Sequence, residues 1–145
     1  MARRWFVPVA GLVLGLVLGF SLLFAQATTT FTVTNSGITS YVIDGTNNPN
    51  LKLVRGQTYV FQVNAVGHPF WIKSIQSTGT GNAFNNGVTS NGTQSGSVTF
   101  VVPMNAPSTL FYDCEFHPSM TGQLDIANPT PALQQTWGRT KAIYR

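Results

Sequence analysis

Thr58-Tyr59-Val60-Phe61-Gln62-Val63 and Phe70-Trp71-Ile72-Lys73, separated by Asn64-Ala65-Val66-Gly67-His68-Pro69, decide how the chain is read. The first run is rich in aromatic and β-branched residues with a period near two, which describes a pleated strand and not a helix. Gly67-His68-Pro69 then forces a bend, because proline locks φ and cannot donate to a ladder. His68 therefore sits just beyond a strong strand, immediately before a second one.

The same pattern recurs in both directions. Phe31-Thr32-Val33-Thr34, Tyr41-Val42-Ile43-Asp44 and Leu51-Lys52-Leu53-Val54 precede it. Ser97-Val98-Thr99-Phe100-Val101-Val102, ending at Pro103, then Leu110–Cys114 and Gln123–Ile126 follow. Short strands with frequent turn signals predict an all-β Greek-key sandwich of seven or eight strands with antiparallel connections. Ser77–Gly96, uncharged and rich in Gly, Asn, Ser and Thr, reads as a long polar loop with room for a short strand near Phe84 or Val88.

Composition agrees. The chain has 145 residues, 43% of them hydrophobic and 8% charged. A helical bundle needs more charge than that on its wet faces. The net charge of +4 is concentrated at the ends, and residues 28–127 hold three cations against four acids. That central part has no basic stripe, which argues against nucleic acid as a partner.

Residues 1–27, MARRWFVPVAGLVLGLVLGFSLLFAQA, place two arginines before an apolar run and end in Ala25-Gln26-Ala27. This is the layout of a secretory signal peptide; the competing reading is an uncleaved anchor, since the run is just long enough to span a bilayer. Either reading predicts a periplasmic or secreted protein. Residues 28–127 form the expected folded domain. Residues 128–145 are a linker and a short basic tail, with Leu133, Trp137, Thr140 and Tyr144 on one helical face. Membrane contact is expected only through the N-terminal segment or this tail, and the domain itself as a monomer.

The chemistry-bearing residues of the domain are few: one cysteine, Cys114, two histidines, His68 and His117, and two methionines, Met104 and Met120. Three of them fall in Cys114-Glu115-Phe116-His117-Pro118-Ser119-Met120, a C-x2-H-x2-M run in the turn between two expected strands. Taken singly, Cys114 could be a small buried hydrophobe, His68 a turn residue and Met120 part of the core. Taken together, two imidazoles, a thiolate and a thioether are the donor set that suits copper in both oxidation states. Zinc accepts Cys and His but rarely uses methionine. The expected ligands of one copper ion, cycling between Cu(I) and Cu(II), are His68, Cys114, His117 and Met120.

A histidine after a strong strand, followed by F-Y-x-C-x-x-H-x-x-M-x-G over Phe111–Gly122, resembles the cupredoxins: plastocyanin, pseudoazurin and amicyanin. The resemblance spans about residues 31–127, and the Cys114–Met120 spacing is most similar to the short ligand loop of amicyanin. It implies a mononuclear type 1 copper near one end of the sandwich, with His117 at the exposed edge as the electron port. Redox partner proteins would dock there, on an apolar surface expected from Phe70, Trp71, Phe116 and Pro118. In many cupredoxins the residue after the first histidine donates its backbone N–H to the copper-bound sulfur. Here that residue is Pro69, which has none.

Cys114 is flanked by Asp113 and Glu115, so the His-Cys-His run of multicopper oxidases and copper nitrite reductases is absent. A single cysteine also excludes the binuclear centre of cytochrome oxidase. With no nucleophile–base pair in view, the expected role is a one-electron carrier and not an enzyme. The alternatives are a periplasmic copper carrier or storage protein using the same ligands, and a metal-free sandwich for adhesion or assembly.

Overall fold

The computed structural model describes residues 28–130, so the expected signal segment and residues 131–145 of the tail lie outside it. The described chain is all-β, with ten strands: β1 (Thr28–Ser36), β2 (Ser40–Ile43), β3 (Thr46–Asn47), β4 (Leu51–Val54), β5 (Thr58–Asn64), β6 (Phe70–Lys73), β7 (Val88–Thr89), β8 (Ser95–Val101), β9 (Thr109–Cys114) and β10 (Thr121–Ala127). All eight expected strands are present, β7 is the short strand allowed for near Val88, and β3 is a two-residue addition. A six-stranded sheet in the order β3-β2-β1-β5-β8-β7 packs on a four-stranded sheet in the order β4-β10-β9-β6.

Two pairings correct the antiparallel expectation. β1 runs parallel to β5, with Phe31 opposite Phe61, and β10 runs parallel to β4, with Leu124 opposite Leu51. Strands brought together from distant parts of the chain need not reverse direction, and no local turn signal encodes this. Asp44 is the other correction: it leaves the strand with φ +45°, followed by Gly45 at +83°. Consecutive positive φ values at Asp-Gly make the tight turn that matches the twist of a hairpin. The Asp44 carboxylate then accepts the Thr32 N–H at 2.8 Å.

The alternating inward residues close the core. Val33, Tyr41, Phe61, Phe70, Phe100, Leu110, Tyr112 and Leu124 are all fully buried. Phe70 belongs here, with its ring 5.2 Å from Phe61 across the two sheets and 5.4 Å from Tyr112, so it is not part of an exposed apolar surface. Each such side chain contributes about 1.5–3 kcal/mol by leaving water.

The long polar loop is held down by side chains replacing strand contacts. Lys73, fully buried, donates its ammonium to Ser77 O and Gly79 O at 2.6 Å each. The Asn91 amide oxygen accepts the Ile72 N–H at 2.7 Å, and its nitrogen donates to Ile72 O at 3.1 Å. Next to it, Gly92 lies under Trp71, where a Cβ would stand 2.3 Å from the indole. At the opposite end Arg55 bonds Ala106 O, Ile126 O and the Asn128 side chain, tying down the end of β10.

Candidate metal centre

The site is assembled from two chain segments. The first is the turn out of β5, where His68 N–H closes onto Ala65 O at 2.9 Å and Gly67 takes φ +84°. The second is the loop from β9 to β10. Register joins them: β6 pairs with β9 so that Phe70 faces Cys114, and the Glu115 N–H reaches Pro69 O at 3.2 Å. His68 is thereby carried to the sulfur of a cysteine 46 residues further on.

Three of the four expected ligands converge on one point. His68 Nδ1 and His117 Nδ1 are 3.1 Å apart, and Cys114 Sγ lies 3.8 Å from the first and 3.5 Å from the second. At metal–nitrogen and metal–sulfur lengths of about 2.0–2.3 Å, two donors on one ion stand about 3–4 Å apart. All three separations fall in that range. Cys114 and His68 are buried, while His117 is half-buried at the edge. One imidazole pair can share a proton, but a cation satisfies both nitrogens and the sulfur together, so the donor set fits a soft metal ion.

Met120, the fourth expected ligand, is fully buried at the end of the same loop. Its N–H donates to His117 O at 3.1 Å, and its carbonyl accepts the Cys114 N–H at 2.9 Å. These bonds close the Cys114–Met120 loop on itself, so the spacing read from the sequence becomes a compact ring of backbone. Pro118 and Phe116 project outward from it, Phe116 being 57% exposed. Trp71 is half-buried, its indole N–H donating to Glu115 Oε2 at 3.0 Å. Ile38 and Val66 are strongly exposed; Ile38 is joined to the loop through the Ser119 hydroxyl on its carbonyl, at 3.0 Å, and Val66 lies two residues before His68.

The electrostatics favour a neutral His68. Burial lowers the pKa of His68, and the neighbouring His117 lowers it further. A neutral imidazole can bind a metal without first releasing a proton. Beside Cys114, burial raises the Asp113 carboxyl, against the Thr121 hydroxyl, the Ser77 N–H and Lys73, which hold it down. A cleft of about 240 Å³ runs past Gln76, Ser77 and Thr78 to Cys114 and His117.

Two residues near the centre carry no signal in the sequence. Tyr41 reads as an ordinary inward position of a strand, yet its hydroxyl donates to His68 O at 2.9 Å and to Pro69 O at 3.0 Å. Asn48, at φ +44°, accepts the Tyr41 N–H at 2.9 Å and donates its amide to Ser119 O at 2.8 Å. Only the folded topology brings either one to the ligand segments.

No family model and no curated protein matches the sequence. Solved structures do. A rusticyanin described as a copper protein matches with a TM-score of 0.50 at 17% identity, over 69% of this chain and 78% of that one. Reduced rusticyanin matches at 0.49 and 18% identity, over 72% and 82%. A multicopper oxidase matches at 0.44 and 15% identity, over 71% of this chain and 42% of its own. Rusticyanin is a cupredoxin, and the two-sheet sandwich described here has the cupredoxin fold. The likeness of the ligand loop to that of amicyanin rests on residues 114–120 alone.

Proposed function

We propose that this chain is an exported mononuclear type 1 copper protein that passes single electrons between redox partners. The observation that carries the reading is the convergence of His68 Nδ1, Cys114 Sγ and His117 Nδ1 within 3.8 Å of one another, at the ends of paired strands. His68, Cys114 and His117 hold the metal, with Met120 as the weak fourth donor. Copper, when bound there, supplies the Cu(II)/Cu(I) couple.

The chain's own part is rigidity and burial. Cys114 and His68 are fixed by the β6–β9 register, and His117 by the closed loop, so the donors keep one arrangement in both oxidation states. Burial of the thiol shields it from oxidation and solvent. His117 is the half-buried member and the electron port, with Phe116, Ile38 and Val66 offering the apolar contacts that suit weak, fast docking.

The cleft that reaches Cys114 and His117 supports a second reading, a carrier that loads and unloads copper. Repeated reduction and reoxidation in the presence of a Cu(I) chelator separates the two. A shuttle keeps one copper per chain through every cycle; loss of copper to the chelator on reduction makes the protein a carrier.

A further inference from the structure

We propose that Tyr41 is a positioning residue of the metal centre, its hydroxyl holding the His68 arm at the distance from the ligand loop that metal binding requires. The inference rests on the reading of His68, Cys114 and His117 as copper ligands. Pro69 leaves the His68 arm without a backbone donor at the position next to the histidine. Beside the His68 N–H on Ala65 O and the Phe70 N–H on Thr93 O, the arm is held from outside through its carbonyls.

Tyr41 does this with one group. Its phenol O–H lies 2.9 Å from His68 O and 3.0 Å from Pro69 O, two successive carbonyls turned to the same donor. Pro69 O also takes the Glu115 N–H, whereas His68 O is served by the phenol. The ring cannot drift. It is fully buried, edge-on to Phe70 at 5.1 Å and to Tyr112 at 6.1 Å. Its backbone is gripped from the other side by Asn48, which accepts the Tyr41 N–H and donates to Tyr41 O. The same Asn48 side chain bonds Ser119 O in the ligand loop. A continuous chain of bonds therefore runs from His68 through Tyr41 and Asn48 to the His117–Met120 segment.

Tyr41 thus holds the His68 arm directly and reaches the ligand loop through Asn48, without being a ligand itself. Residues that orient a ligand from outside change metal affinity by about 10–100-fold when altered.

The test compares Tyr41→Phe with Tyr112→Phe. Each keeps its ring and loses one buried hydroxyl; Tyr112 donates to Pro49 O at 2.8 Å, away from the His68 arm. Thermal melting of both metal-free variants measures the structural cost. Competition against a chelator measures Cu(II) affinity, and the visible spectrum reports the thiolate–copper bond. Tyr41→Phe is expected to weaken Cu(II) binding about tenfold or more and to move the visible band. Tyr112→Phe is expected to lower the melting temperature alone. Wild-type affinity and spectrum in Tyr41→Phe, or equal losses in both variants, would overturn the inference. A wild-type protein that binds no copper sinks the copper reading, and this inference with it.

Discussion

Phe70 on β6 stands directly opposite Cys114 on β9, and that pairing brings His68 to the cysteine sulfur. The ring of Phe70 fills the core beneath the site, so the register that positions the ligands is the one that buries an aromatic side chain. A slip by one residue would turn Phe70 out to solvent and carry His68 away. Stability and site geometry are set by the same contacts.

Pro69 gives the centre a measurable property. It offers no N–H to the sulfur, which leaves Cys114 Sγ without the backbone donor that another residue at this position would carry. A thiolate with fewer hydrogen bonds is more electron-rich and favours Cu(II). Pro69→Asn is therefore expected to raise the midpoint potential. Voltammetry giving an unchanged or lower value would refute this.

His68 sets a pH dependence of the metal-free protein. Its folded-state pKa lies below the ordinary value of 6.5, through burial and then through His117. Between those two values the unfolded chain binds more protons than the folded one. Stability from this group is therefore complete above pH 6.5 and is lost as pH falls through the lowered value. Melting temperatures of the metal-free protein should fall on acidification from pH 6.5 toward the lowered value, and His68→Gln should flatten the curve. Parallel curves for the two proteins would contradict it.

Asn48 joins β2 to the ligand loop through bonds to Tyr41 and Ser119. Asn48→Ala removes those bonds and places a residue with a Cβ and no polar side chain at φ +44°. The expected loss is about 1–3 kcal/mol in denaturant unfolding. Asn48→Gly should recover the backbone share only. Full recovery in the glycine variant would show that the side-chain bonds contribute nothing.

Gly92 lies under the Trp71 indole at φ +84°, with no room for a methyl group. Gly92→Ala must displace Trp71 or the loop, at a cost of about 1–3 kcal/mol. Proteolysis of the metal-free protein should then cut within residues 74–94 sooner than in wild type. Identical cleavage rates would argue that the loop is held by Lys73 and Asn91 alone.

Much of this was legible in the residues. Alternation in Thr58–Val63 and Ser97–Val101 announced strands because each strand buries one face. The C-x2-H-x2-M run announced a donor cluster because the chain has so few donors to place. The parallel pairings were not legible, since sheet order is decided by which distant strands share a core. Phe70 looked eligible for a surface patch because three consecutive apolar residues, Phe70, Trp71 and Ile72, show no clear period; even the following Lys73 is buried there. Tyr41 and Asn48 stayed hidden because their partners, His68, Pro69 and Ser119, are contacts of topology and not of sequence spacing.

The most direct test of the central claim is the visible absorption spectrum of residues 28–145 after addition of Cu(II) and an oxidant. The expected result is an intense thiolate-to-copper band that ascorbate bleaches and Cys114→Ser abolishes. A protein that stays colourless, or that colours equally well without Cys114, would contradict it.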